Sequence, residues 1–163
     1  MSSRNNERAD LREWVRHVVP SSRTQEWHVS APAKVNLRLK VLGRRDDGYH
    51  LLSMLNATCS LSDDVSISFS VDGNSSVMMD ALSLASLASA DNLALRAHRE
   101  FWSAFGCVEP PVDIQVRIAK LIPVGGGLGG GSSNAGAVLR VLREVFGASV
   151  RGSLDLSEIQ FEE

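Results

Sequence analysis

Pro123-Val124-Gly125-Gly126-Gly127-Leu128-Gly129-Gly130-Gly131-Ser132-Ser133-Asn134 is the stretch around which the rest of this chain is organised. Its six glycines and two serines run directly into Ala135-Gly136-Ala137-Val138-Leu139-Arg140-Val141-Leu142, a segment with the composition of a helix. Glycine lets a backbone turn through positive φ and leaves no Cβ between an amide and a ligand. A helix N-terminus contributes unpaired N–H donors and the positive end of a dipole. A glycine loop feeding a helix is therefore an anion site, and phosphate is the usual anion there. A flexible linker has the same composition, but a linker is seldom butted against ordered elements at both ends. Here an alternating strand pattern and Pro123 come before the glycines, and an amphipathic helix follows.

Upstream, Val112, Ile114, Val116 and Ile118 alternate with polar residues and predict a strand leading to Lys120 and the loop. Trp27 to Ala31 and Lys34 to Leu42 predict two extended segments, the second alternating at Val35, Leu37, Leu39 and Val41. The period places Val35 and Leu37 on a buried face and sets Lys34 and Asn36 together on the other. His50 to Leu61 predicts another strand, Asp63-Asp64 a break, and Val65 to Val71 a further strand with serines alternating. Residues 73–90 fit a short strand and a loop. Asp91 is the expected N-cap of a helix through Phe105 stopped by Gly106, and the loop helix is expected to stop at Gly147. Leu154 to Phe161 predicts the start of a last helix, with Asp155 and Glu158 in its acidic first turn. Strands in hairpin-like succession followed by helices favour an α+β fold in one domain over a doubly wound sheet.

The chain has 163 residues, 44% of them hydrophobic, which suffices for one real core. A formal net charge of -2 supplies no field for nucleic acid or a membrane surface, so neither partner is expected. Cys59 and Cys107 lie far apart, outside any metal-ligand spacing, and read as buried thiols in a reducing cytoplasm. No apolar run approaches a membrane span, and residues 1–25 read as a poorly ordered leader before a domain covering 26–163.

Two familiar phosphate loops can be tested on the residues. A Walker A loop needs Lys-Ser or Lys-Thr after its last glycine; Gly131 is followed by Ser132-Ser133. Gly125, Gly127 and Gly130 satisfy G-x-G-x-x-G literally, but Asp155, near the spacing of a ribose-binding acid, has no apolar strand before it.

The loop closely resembles the phosphate loop of the GHMP kinases, the group of galactokinase, homoserine kinase and mevalonate kinase. Ala31-Pro32-Ala33-Lys34-Val35-Asn36-Leu37 and Gly43-Arg44-Arg45-Asp46-Asp47-Gly48-Tyr49-His50 narrow the resemblance. They are similar to signatures of the branch acting on a diphosphocytidyl-linked methylerythritol in the non-mevalonate route to isoprenoids. Asp91-Asn92-Leu93 and Lys120-Leu121-Ile122-Pro123 fall in the family's order, and the resemblance covers residues 29–160.

The resemblance implies the N-terminal domain of a GHMP kinase, a fold like domain 2 of ribosomal protein S5. It also implies ATP-dependent phosphorylation of the 2-hydroxyl of 4-diphosphocytidyl-2-C-methyl-D-erythritol. ATP phosphates would be bound by Pro123, Val124, Gly125, Gly126, Gly127, Leu128, Gly129, Gly130, Gly131, Ser132 and Ser133, with either serine orienting Mg2+. Asn92 and Lys120 would lie near the nucleotide, although Lys120 also fits a solvated strand-end charge. Lys34 is the catalytic candidate, an ammonium that polarises the acceptor hydroxyl. Asn36 would help to hold the substrate, and Tyr49 and His50 would stack on and hydrogen-bond its cytosine. Arg44 and Arg45 fit a solvated turn better than a diphosphate site.

The family's second catalytic group, an aspartate in a Gly-Ala-Asp-Val-Pro-like segment, has no counterpart up to Glu163, nor has its C-terminal domain. The expectation is accordingly an impaired kinase domain, with self-association through apolar surface the second domain would cover. The alternatives are a non-catalytic nucleotide-binding module and a truncated gene product.

Overall fold

Serines alternating with Val65, Ile67 and Phe69 place one face of a strand in water and the other in the core, and the fold is built around that strand. A computed structural model describes residues 26–70, 75–79, 92–107 and 109–153. Its elements are β1 (Glu26–Arg44), β2 (His50–Ser70), β3 (Ser76–Met79), α1 (Leu93–Ser103), β4 (Asp113–Ala119) and α2 (Gly130–Ser153). The sheet runs β1-β2-β4-β3, with β1/β2 and β2/β4 antiparallel and β3/β4 parallel across the α1 connection. The class is α+β, one sheet with both helices on a single face.

Val65, Ile67 and Phe69 of β2 and Ile114, Val116 and Ile118 of β4 meet Leu95 and Trp102 of α1 and Val138, Val141, Leu142 and Phe146 of α2. Burying each of these larger side chains contributes about 1.5–3 kcal/mol. A row of edge-on and tilted ring contacts, Trp27–Phe69–Phe146–Trp102, crosses the core with centroid separations of 5.1–5.2 Å.

Several local expectations are corrected. β1 is one strand of 19 residues, because irregularities at Pro32/Lys34, Asn36/Arg38 and Val41/Gly43 bend it without ending it. Pro32 is tolerated because β1 is an edge strand. β2 runs straight through Asp63-Asp64, whose first carboxylate is buried and fully partnered. Val35 and Leu37 are exposed, at 37% and 65%. The reason is that β4 pairs with β2 only from Asp64 to Ser70, so beyond that point β1 and β2 form a two-stranded ribbon without a helix layer.

α1 is capped by Asn92, whose Oδ1 accepts the Ala94 amide at 2.9 Å. Asp91, the expected cap, lies outside the described residues. α1 ends at Ser103, and Gly106 (φ 73°) turns the chain beyond it. α2 passes through Gly147 to Ser153, since a lone glycine costs a helix about 1 kcal/mol and the buried face outweighs it. The expected leader, Asp155, Glu158 and the last helix lie outside the described residues. Cys59 and Cys107 are half-buried rather than buried, and no disulfide joins them. Among the described residues no helix is long and apolar enough to cross a membrane.

His98 of α1 is 1% exposed. Burial pushes its imidazole down to about 4, against the upward effects of its hydrogen bond to the Val112 backbone and of Asp113; Arg99 adds to the depression. The unfolded chain therefore binds a proton between pH 6.5 and 4 that the folded chain does not, so stability falls as pH drops through that window. The expected loss is about 3 kcal/mol by pH 4, and Asp63 adds a further loss below its ordinary pKa. Denaturant titrations at pH 7 and 4.5 should show the difference. A His98→Phe variant with an unchanged pH slope would contradict this origin.

Candidate functional site

The glycine loop is aimed at its cavity by backbone chemistry that a side chain would disturb. Gly125, Gly127 and Gly129 have φ of 76°, 69° and 73°, while the residues between them stay at negative φ. This alternation of hand turns successive N–H groups toward a common point, the arrangement of an anion nest. The Ser133 amide closes the first helical hydrogen bond on Gly129 O at 2.9 Å. The amides of Gly130, Gly131 and Ser132 are thus in the first turn of α2, without intrahelical acceptors. A Cβ on Gly131 would stand 3.3 Å from Leu93, so the starts of α1 and α2 pack together and their positive dipole ends converge.

The resulting cavity of about 480 Å³ is walled by Asn92, Leu93, Lys120, the loop from Pro123 to Gly131, Ser132 and Asn134. Ser132 lines it; Ser133 does not, which separates the two serines. Asn134, 3% exposed, has an Oδ1 with no hydrogen-bond partner among the described residues. Its place at the end of the glycine-serine run was the only sequence signal for it.

Lys34 meets the loop from the other side. Its amide donates to Leu128 O at 2.9 Å, and its aliphatic stem lies where a Cβ of Gly129 would come within 3.0 Å. Its Nζ donates to Asn36 Oδ1 at 2.8 Å, so the shared face expected from the strand period is present.

Lys120 is not a solvated charge. Its side chain, 7% exposed, makes an ion pair with the fully buried Asp63, and its Nζ also borders the position of Gly130. Asp63 Oδ1 accepts the Leu121 and Ile122 amides at 2.9 and 2.8 Å. Burial alone would raise the Asp63 carboxyl. The hydrogen bond from Lys120, those from the Ile122 and Leu121 amides, and the Lys120 charge outweigh it and hold the group below its usual value. Asp63 therefore staples the end of β4 to β2 where the chain enters the loop. Sequence reasoning missed this residue, because 57 positions separate it from Lys120.

Tyr49 and His50 are not brought to the loop. They sit at the tip of the ribbon, where Tyr49 is 75% exposed and its contacts are local: its amide donates to Asp47 Oδ1 and its carbonyl accepts from Arg45. Lys34 pairs with Thr58 and Arg44 with His50, so about 30 Å of strand separates the two ends. Arg45 pairs with Asp47 in the exposed turn at 2.7 Å, as a solvated turn requires.

Residues 92–161 match the family model of the GHMP kinases N terminal domain. The chain is 43% identical over 122 residues to the 4-diphosphocytidyl-2-C-methyl-D-erythritol kinase of Solibacter usitatus (strain Ellin6076), covering 74% of this chain and 36% of that one. It is 47% identical over 124 residues to the same-named kinase of Anaeromyxobacter sp. (strain Fw109-5), covering 76% and 39%. A crystal structure of 4-(cytidine 5'-diphospho)-2C-methyl-D-erythritol kinase superposes with a TM-score of 0.55 at 37% identity, covering 80% of this chain and 43% of that one. The Methanococcus jannaschii mevalonate kinase, at 14% identity and TM-score 0.51 over 78% of this chain and 42% of that one, shares the fold. The chain thus spans about two fifths of the length of the curated relatives it matches.

Proposed function

Because this chain belongs to the GHMP kinase family, related to its diphosphocytidyl-methylerythritol kinases, we propose that its glycine cavity holds the phosphates of ATP for transfer to a diphosphocytidyl-linked alcohol. The observation that carries the proposal is the cavity formed by the Gly125–Gly129 nest and the starts of α1 and α2, with the strand bearing Lys34 packed against the same loop.

The chemistry follows from charge. The loop amides and the α2 dipole neutralise phosphate oxygens, and Leu93 and Val124 offer apolar surface to a nucleobase. In transfer, the acceptor oxygen bonds to the terminal phosphorus as the bond to the departing ADP breaks, and the hydroxyl proton is released to water. Lys34, fixed through its own amide to Leu128, stabilises charge on the oxygens nearby. Asn36 orients its ammonium and is assigned to the alcohol substrate.

Mg2+ fits this donor set. The orphaned Asn134 Oδ1 and the Ser132 hydroxyl are hard oxygen donors, and no described carboxylate lines the cavity, as suits an ion held largely by phosphate and water. Ser132 would hold it, and the ion would supply neutralisation of phosphate charge.

A second reading, nucleotide binding without transfer, draws on the partner of Lys34. Its Nζ faces the neutral Asn36 amide, not a carboxylate able to take the acceptor's proton.

Calorimetric titration with ATP, beside a phosphoryl-transfer assay on 4-diphosphocytidyl-2-C-methyl-D-erythritol, separates the two. ATP binding is expected in both readings. Transfer that falls about 10²-fold in Lys34→Met at unchanged ATP affinity supports the kinase. Binding without transfer supports the second reading, and absence of ATP binding overturns both.

A further inference from the structure

The ribbon that carries Lys34 is mostly apolar. Leu37, Leu39, Val41 and Leu42 on β1 and Leu51, Leu52, Met54 and Leu55 on β2 are all exposed. Arg38, Lys40 and Ser53 are interspersed among them, and the segment nearest the loop is polar on one face. Lys34 is paired with Thr58, Val35 with Ala57 and Asn36 with Asn56, and these three pairs are bounded on both sides by register irregularities.

Directly opposed residues in an antiparallel pair share a face, their Cβ atoms about 4.5–5.5 Å apart. Residues two apart on a strand share one as well. Lys34, Asn36, Asn56 and Thr58 therefore form a polar quartet on one face, and the Lys34–Asn36 hydrogen bond is its observed side-chain contact. Val35 and Ala57 fall on the other face. Past Asn36 the register slips by one, so the same face continues as Leu39, Met54, Val41 and Leu52. Such irregularities beside a site re-aim side chains, and here the four positions nearest the loop are polar before this face turns apolar.

Building on the proposed kinase reading, we infer that Asn56 and Thr58 bind hydroxyl groups of the acceptor's polyol next to the one Lys34 addresses, and so set specificity for a polyhydroxylated alcohol. Asn56 and Thr58 are both exposed and ready to meet a ligand. A carboxamide both donates and accepts, and a hydroxyl does either, which matches the requirement of alcohol groups better than a second charge would. Sites that hydrogen-bond a substrate hydroxyl discriminate against ligands lacking it, because their own polar groups are otherwise left unpaired. These are positioning residues for the acceptor, separate from the nucleotide cavity.

The test is calorimetry on the full chain with three probes: 4-diphosphocytidyl-2-C-methyl-D-erythritol, CDP, which lacks the polyol, and ATP. Asn56→Ala and Thr58→Val are each expected to weaken the cytidyl alcohol about three- to tenfold while leaving CDP and ATP unchanged. Thr58→Ser should retain parental affinity. Losses equal for CDP and the alcohol, or no loss for the alcohol, overturn the inference. A parent chain that binds ATP but does not distinguish the alcohol from CDP also overturns it while leaving the nucleotide site standing. A parent chain that binds no ATP brings down the kinase reading itself.

Discussion

Asp63→Ala is expected to lower the unfolding free energy by about 3–5 kcal/mol, the usual cost of removing one partner from a buried ion pair. The substitution leaves the Lys120 ammonium buried without its counter-charge and strips the Leu121 and Ile122 amides of their acceptor. Asp63→Asn should cost less, because the amide oxygen can still accept from both backbone groups while the ion pair is lost. Replacing both charges, as in Asp63→Leu with Lys120→Met, should recover only part of the loss, since the two amides remain unsatisfied. Urea unfolding with constant m-value is the measurement. A loss below about 1 kcal/mol for Asp63→Ala would show that the pair is solvated and that the staple between β2 and the loop does not exist.

Gly130→Ala is expected to weaken ATP binding about tenfold or more, from a contact penalty of the order of 1–3 kcal/mol. The added Cβ would lie 2.8 Å from Lys120 Nζ and 3.1 Å from Ile122 Cγ2. A lysine tip normally swings aside, but this one is tied to Asp63, so the strain passes instead to the first turn of α2 and its amides without intrahelical acceptors. Gly136→Ala, six residues along the same helix, is the contrasting case. A Cβ there meets nothing within 4 Å, so the change should stabilise the helix by up to about 1 kcal/mol and leave ATP affinity alone. Gly130→Ala binding ATP as tightly as the parent would mean that α2 does not present its N-terminus to the nucleotide.

These two substitutions mark the boundary of what local sequence conveys. The loop was legible because its signal is contiguous: glycines that permit positive φ, then serines, then a helix with an apolar stripe. The shared face of Lys34 and Asn36 was legible for a similar reason, since a two-residue period needs only a few neighbours to establish it. Asp63-Asp64 reads locally as a turn, and nothing within ten positions offers the partner that lets Asp63 stay buried in a continuing strand. Val35 and Leu37 keep the alternation of a half-buried strand, yet burial requires an element to cover the face, and β4 pairs with β2 only from Asp64 onward.

From sequence alone, then, the glycine loop, its helix, the α+β class and the alternation of the strands followed, because each depends on backbone preferences and periods spanning a few residues. Tertiary structure alone decided that Lys120 is buried on Asp63 and that Ser132, not Ser133, faces the cavity. It also decided that Thr58 and Asn56 stand opposite Lys34 and Asn36, and that Tyr49 and His50 lie at the far end of a ribbon. Periodicity reports which way a side chain points. Register and packing between distant segments decide what it meets there.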